Sequence, residues 1–144
     1  MAYDLQIVID SGDPHALADW WADALGGDVE PRDPAFIRSM VAAGYATEDQ
    51  TSTHRGLLVW ISGAAIRHPE GLQRAPRILF QQVPETKTVK NRVHLDLRIG
   101  TDDVQQSVDR LTARGATFLH AGQQGPHTWL TIAGPEGNEL CVSQ

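Results

Sequence analysis

The sequence predicts an α+β fold in which one strand-helix unit occurs twice. Two segments, residues 4–10 and residues 92–99, alternate apolar and polar side chains with a period of two. This period is typical of strands that bury one face. A stretch with apolar residues at helical spacing follows each segment, so both halves of the chain have the same order of elements. Later apolar runs predict further strands in both halves, at residues 56–61, 77–83, 116–120, 127–132 and 139–143.

Both predicted helices have recognisable start and stop signals. In the first, Asp13 is a good N-cap with proline directly after it, and Gly26 follows the last apolar residue. In the second, Thr101 or Asp102 is expected to be the N-cap, and Gly115 ends the helix. These signals agree with the apolar spacing, which supports a helix after each of the two strands.

An additional stretch separates the first helix from the next predicted strand. Residues 33–44 have an Asp cap, a proline at the first helical position and a terminal glycine. Their apolar stripe includes Phe36 and Ile37, which predicts a short helix packed over the sheet or over the mouth of a cavity. Residues 46–55 are polar and rich in threonine, as is typical of a loop or a lid. Residues 83–91 predict an ordered crossover between the halves.

Composition excludes several classes of partner. At 144 residues the chain fits one domain, or two small halves that share a core. Eighteen acidic residues against twelve basic ones give a net charge of −6, which opposes binding to nucleic acid or to an anionic membrane. The single Cys141 cannot form an internal disulfide, and no apolar run is long enough to cross a membrane. We therefore expect a cytoplasmic protein whose partner is a small-molecule ligand.

The polar face of the strand at residues 92–99 is the first candidate for a functional site. It carries His94, Asp96 and Arg98, and such a face indicates either bulk solvent or a cavity. His94 is interpreted either as a histidine hydrogen-bonded to Asp96, Arg98 or water, or as an acid–base group. Cys141 is more typical of a small buried residue than of a thiol nucleophile activated by His94.

Four tryptophans raise a further question about ligands and interfaces. Trp60 and Trp129 lie on predicted strands and would form a flat apolar wall for an aromatic ligand if those faces line a cavity. If the faces point outward, both rings pack under helices instead. Trp20 and Trp21 are adjacent on the first helix and project about 100° apart. One of that pair is therefore expected in the core and the other at an interface.

Three motifs carry a resemblance to a known superfamily. The segments Phe-Gln-Gln-Val-Pro-Glu at 80–85, Lys-Asn-Arg-Val-His-Leu-Asp-Leu at 90–97 and Gly-Pro-Glu-Gly-Asn-Glu-Leu-Cys-Val at 134–142 resemble glyoxalase-like proteins of the vicinal oxygen chelate superfamily. That superfamily includes glyoxalase I, extradiol dioxygenases, and fosfomycin or bleomycin resistance proteins. The resemblance covers almost the whole chain, although the stretch at 33–55 is less diagnostic.

The resemblance implies the glyoxalase/bleomycin resistance/dioxygenase fold, in which two βαβββ modules form an open cup-shaped sheet. The single glyoxalase-like domain would then consist of module 1, at about residues 1–84 with a helical insert at 33–55, and module 2, at about residues 91–144. Ligand and any metal would lie inside the cup. Because relatives commonly pair subunits, the resemblance also implies a homodimer.

The resemblance further implies a set of metal ligands, one from each of four strands. Gln6 falls on the first position, Gln81 is the nearest match to the second, His94 fills the third and Cys141 occupies the fourth. Metal-dependent relatives carry glutamate at the second and fourth positions, and here both carboxylates are missing. Glu139 lies on the same strand face as Cys141 and is the candidate substitute. A divalent metal ion is therefore an alternative, and a metal-free cup is the favoured expectation.

Two functions remain open at the level of sequence. One is a glyoxalase-like lyase or isomerase acting on a small oxygenated metabolite, with His94 and Glu139 as catalytic residues. The other is a metal-free small-molecule binding protein of the drug-sequestering, bleomycin-resistance-like type. In either case the expected ligand contacts are Gln6, Gln81, Asp96, Arg98, Trp60, Trp129 and Cys141. Fold resemblance alone does not choose between them.

Overall fold

A computed structural model describes every residue from Met1 to Gln144 and divides the chain into two units. The first unit is Met1–Glu85 and the second is Thr86–Gln144. Each contains a four-stranded mixed sheet, with two α-helices in the first unit and one in the second, which confirms the predicted α+β class. None of the helices is both long and apolar enough to cross a membrane.

The first unit builds its sheet from strands at the two ends of its sequence. Its elements in order are β1 (Ile7–Ser11), α1 (Pro14–Leu25), β2 (Asp28–Val29), α2 (Pro34–Ala42), a 3₁₀ turn (Glu48–Gln50), β3 (Thr51–His54), β4 (Leu57–Trp60), β5 (Gly63–Arg67) and β6 (Ile78–Gln82). The sheet order is β1-β6-β5-β2, with β1 parallel to β6. Strands β3 and β4 form a separate hairpin.

The second unit repeats this arrangement in a shorter form. Its elements are β7 (Leu95–Arg98), α3 (Val104–Ala113), β8 (Thr117–Gln124), β9 (His127–Ala133) and β10 (Glu139–Ser143). The sheet order β7-β10-β9-β8 corresponds strand for strand to that of the first unit, and β10 is parallel to β7. The same strand-helix-strand plan therefore occurs twice, as the sequence predicts.

Helix α1 begins as predicted, with the Asp13 side chain accepting a hydrogen bond from the Ala16 amide. Gly26 ends it with a φ of 64°, a left-handed conformation that glycine adopts without strain. The expectation for Trp20 and Trp21 is wrong, because both rings are buried, at 7% and 1% exposure. The two rings meet edge to face with centroids 5.4 Å apart. More than one face of α1 is therefore buried.

Two other local expectations are corrected by the structure. The cap of α3 is Asp103, whose side chain accepts from the Gln106 amide, rather than Thr101 or Asp102. Residues 51–54, expected to be a loop or lid, form β3. They pair with β4, so the strand predicted at residues 56–61 belongs to the hairpin and not to the main sheet. Its place in that sheet is taken by β5, whose Gly-Ala-Ala start has low strand propensity.

The core of each unit lies between its sheet and its helices. In the first unit Phe80 is fully buried on β6 beneath α1, and Ile66 on β5 is nearly so. In the second unit Leu111 on α3 packs toward the sheet, where Leu140 and Ile132 are fully buried. The side chains between these apolar residues point to the opposite face of each sheet. The polar candidates for a functional site lie on that face.

Candidate functional site

A cavity of about 640 Å³ lies within the first unit, which is the size range of small-molecule sites. Its walls include the sheet face of β5 and β6, the end of β4 and the start of α2. Trp60, Phe36 and Leu79 give it apolar surface, while Gln81 and Gln82 add neutral amides. Two ligand contacts expected from the sequence, Trp60 and Gln81, therefore line one cavity.

A fork-shaped ion pair forms part of the cavity wall. Arg77 donates from Nε and Nη2 to the two carboxylate oxygens of Glu30, at 2.7 and 2.8 Å. Its remaining nitrogen, Nη1, donates to Oε1 of Gln6 at 2.8 Å. The hydrogen bonds from Arg77 lower the pKa of Glu30, so this carboxylate stays ionised. Gln6, a predicted metal ligand, thus has its amide oxygen engaged by an arginine.

A second polar network includes two further residues of the cavity wall, His15 and Arg32, and was not predicted from the sequence. His15 on α1 is buried, and its Nε2 donates to the Trp60 carbonyl at 2.8 Å. Its Nδ1 accepts from Arg32 Nε at 3.2 Å. With one nitrogen donating and the other accepting, the imidazole is neutral. Burial lowers the pKa of His15 and favours the same state.

Asp19 joins this network to the β3–β4 hairpin. Its carboxylate lies 3.0 Å from Arg32 Nη2, 2.7 Å from His54 Nε2 and 3.2 Å from Arg55 Nε. Burial disfavours the charged form, but hydrogen bonds from His54 and Arg32 outweigh it and lower the pKa of Asp19. The sequence contains one signal for this network: His15 and Asp19 are four residues apart and therefore share one face of α1.

The second unit brings three possible metal ligands together. The ligand atoms of His94, Asp96 and Cys141 all lie within 4.8 Å of one another. His94 Nε2 is 3.3 Å from Asp96 Oδ1, and Asp96 is opposite Cys141 in the register of β7 and β10. On the next strand, Thr131 Oγ1 lies 3.4 Å from Cys141 Sγ. Asp96, expected only as a ligand contact, thus supplies the carboxylate of this cluster.

Glu139 is held by a different set of partners. Its oxygens accept from Lys87 Nζ at 2.9 Å and from the Asn91 amide at 3.1 Å. Burial opposes ionisation of this side chain, but the bond from Lys87 prevails and lowers its pKa. The carboxylate anchors the segment before β7 to β10, so its oxygens are already engaged. We therefore do not include Glu139 in the cluster.

The remaining expected contacts lie elsewhere in the second unit. Arg98 is exposed at the end of β7. Trp129 on β9 lies over Gly122 of the neighbouring strand, where a Cβ atom would overlap the indole. Its ring also lies 5.6 Å from that of His127. Trp129 lines a separate open groove of about 480 Å³, so it is not part of the His94 cluster.

Comparisons with known proteins agree with this architecture. The profile of the Glyoxalase-like domain family matches residues 6–143. Among solved structures, a glyoxalase family protein from Bacillus cereus has 15% identity and a TM-score of 0.62, covering 99% of this chain and 94% of its own. A fosfomycin resistance protein from Listeria monocytogenes has 7% identity and a TM-score of 0.63, with coverages of 99% and 93%.

A protein described as oxidase ChaP-H2 is similar in the same way, at 15% identity and a TM-score of 0.59, covering 99% of this chain and 93% of its own. A search of curated proteins gave no match. At these identities the solved structures establish the fold and not the activity. The family match spans nearly the whole sequence, and the chain belongs to the glyoxalase-like domain family of the vicinal oxygen chelate superfamily.

Proposed function

We propose that the protein is a small-molecule enzyme of the glyoxalase-like type, a lyase or isomerase acting on a small oxygenated metabolite. The observation that supports this is the grouping of His94, Asp96 and Cys141 on one sheet face. An imidazole is suited to moving a proton near neutral pH, and a neighbouring carboxylate fixes its orientation. The proposal gives His94 the proton-transfer role and Asp96 the positioning role.

The cluster also has a donor set that suits a divalent cation, and if a cation is bound, His94 acts as its ligand instead of transferring a proton. Imidazole nitrogen, carboxylate oxygen and thiolate sulfur are all ligands of zinc and related metals. Asp96 and the thiolate of Cys141 would balance the two positive charges, and Asp96 is the ligand that the positions implied by the resemblance did not include. Their separation, within 4.8 Å, allows small side-chain rotations to bring all three to one ion. A bound cation would polarise a substrate oxygen.

Around such an ion, the chain supplies the supporting contacts. Thr131 is buried at 6% exposure, and its hydroxyl is placed to donate a hydrogen bond to the Cys141 sulfur. Cys141 is half-buried while His94 and Asp96 are exposed, so the sulfur lies deepest and the other two donors face an approaching ligand. This order favours a site that is open to substrate on one side.

Elemental analysis after incubation with manganese, iron, nickel or zinc tests this proposal. We expect near-stoichiometric metal in the wild type. In His94→Ala and Asp96→Asn the affinity for the metal should fall by about tenfold or more. His127→Ala, an exposed histidine outside the cluster, should retain the metal. Absence of metal from the wild type, or equal binding by all variants, would contradict a metal site here.

A second function is favoured by a separate observation, the cavity of the first unit. There the only histidine has both ring nitrogens engaged and the glutamate is paired with arginine, so no free acid–base group faces the ligand. This arrangement supports metal-free binding of a small molecule, as in the drug-sequestering alternative. Binding there that persists in the presence of a chelator and leaves the ligand unchanged would distinguish it from the enzyme.

We also propose that the protein is a cytoplasmic homodimer. Cys141 is a free thiol, which suits a reducing compartment. In the second unit the side chains of Phe118 and Leu119 on the edge strand β8 are exposed, as is Val93 before the opposite edge strand β7. Unpaired edge strands with apolar side chains favour association. Sedimentation velocity should therefore give twice the chain mass of 15.8 kDa. A single species at the mass of one chain would contradict the dimer.

A further inference from the structure

We propose that the cavity of the first unit selects an uncharged, flat, amide-containing ligand and rejects the corresponding carboxylate. This deepens the binding function proposed for that cavity and rests on it. The argument depends on how the charged side chains of the wall are used. The cavity has four of them: Glu30, Arg32, Asp33 and Arg77. Two are positive and two are negative, so the formal charge of the wall is zero.

Each of these charged groups is already engaged within the protein. Arg77 uses all three of its nitrogens, two on Glu30 and one on Gln6. Arg32 donates to Asp19 and to His15, and the Asp33 carboxylate caps α2 by accepting from the Phe36 amide. An anionic ligand would therefore compete with Glu30 and Asp19 for these two arginines. Because the formal charge of the wall is zero, nothing repays the cost of taking the ligand's charge out of water.

The neutral polar groups of the wall are in the opposite situation. Gln81, Gln82 and Ser62 are among the lining residues, and their exposed side chains are not held by hydrogen bonds within the protein. Gln81 and Gln82 are adjacent on β6, so their side chains point to opposite faces, and Gln81 shares the face of the cavity residue Leu79. Its amide presents both a donor and an acceptor, which matches a ligand that also carries both, such as a carboxamide. Hydrogen bonds of this kind fix orientation without requiring a charge on the ligand.

The apolar part of the cavity favours a flat ligand. Trp60 and Phe36 provide aromatic surface, and Phe36 is 50% exposed although it is a large apolar side chain. Between the walls, the β5 segment Gly63-Ala64-Ala65 has only small side chains, which leaves room for a ring against the sheet. Aromatic side chains contact planar rings with favourable offset geometry. The combined surface fits an aromatic or polycyclic carboxamide.

Equilibrium dialysis with two matched probes, 2-naphthamide and 2-naphthoate at pH 7.5, tests the inference. The probes share one ring system and differ in charge. We expect the wild type to bind the amide about tenfold more tightly than the carboxylate. Glu30→Gln releases Arg77, so it should tighten 2-naphthoate binding about tenfold relative to 2-naphthamide binding. Trp60→Ala should weaken both, which places the probes in this cavity.

Glu70→Gln is the matched control, because Glu70 is also paired with an arginine, Arg74 at 3.5 Å, but lies outside the cavity. It should leave both affinities unchanged. Equal or tighter binding of 2-naphthoate by the wild type, or no gain in Glu30→Gln, would overturn the charge selection while leaving a binding function in place. If neither probe binds, both the selection and the binding function of this cavity are wrong.

Discussion

Replacing Phe80 with alanine is expected to lower the free energy of unfolding by about 3–5 kcal/mol. The Phe80 ring is fully buried, on the strand at the centre of the sheet between β1 and β5. Its removal loses the transfer free energy of the ring and leaves a cavity that the flanking strands cannot close. Since Leu79 and Gln81 on either side line the ligand cavity, binding there should weaken as well.

Urea denaturation followed by circular dichroism measures this effect. Tyr45→Ala is the matched control, because Tyr45 is an aromatic residue of the same unit, is 82% exposed, and its truncation should change the unfolding free energy by about 0.5 kcal/mol or less. If both variants lose a similar amount of unfolding free energy, burial of Phe80 does not stabilise the fold as expected.

The second large effect is expected for Asp19→Ala, at about 1–3 kcal/mol of unfolding free energy. The side chain of Asp19 is 15% exposed and receives contacts from Arg32, His54 and Arg55. Its loss leaves those donors without their shared acceptor. Because His54 and Arg55 end β3 and begin the turn into β4, the hairpin should also become more open to proteolysis than the rest of the first unit.

The pH dependence has a definite sign. Since the pKa of Asp19 is lower in the folded protein than its ordinary value of 3.8, its contribution is fully present above that value. It is lost as the pH falls through the lower folded-state pKa. At pH 7 the whole effect is therefore measured, with the exposed Asp28→Asn as control. Equal stability of the two variants at pH 7 would contradict the role of Asp19.

The parts of the fold that the sequence predicts correctly are those with local signals. Asp13 and Gly26 directly flank α1, as their capping signals predict. The alternation around Leu95 and Leu97 places His94 and Asp96 on one strand face without any knowledge of the sheet. These two side chains lie close together because they are two positions apart on the same strand. Adding Cys141 to them requires the register of β10 with β7, which no local pattern contains.

The rest of the candidate sites depends on contacts between distant parts of the sequence. Glu30 and Arg77 form their fork across the sheet, and neither side chain has a local pattern that identifies the other. The threonine-rich stretch containing β3 has the polarity of a loop and becomes a strand because β4 offers it a partner. Likewise, Lys87 takes the Glu139 carboxylate that spacing alone assigned to the site. Tertiary pairing overrides local preference in each case.

The parallel pairing of β1 with β6, and of β7 with β10, determines how each unit is completed during synthesis. In both sheets the first strand made must wait for the last strand of its unit before it gains a neighbour. Contacts so far apart along the chain form slowly, because a long loop must close first. A nascent first unit therefore presents the apolar face of β1 to its surroundings until β6 has left the ribosome.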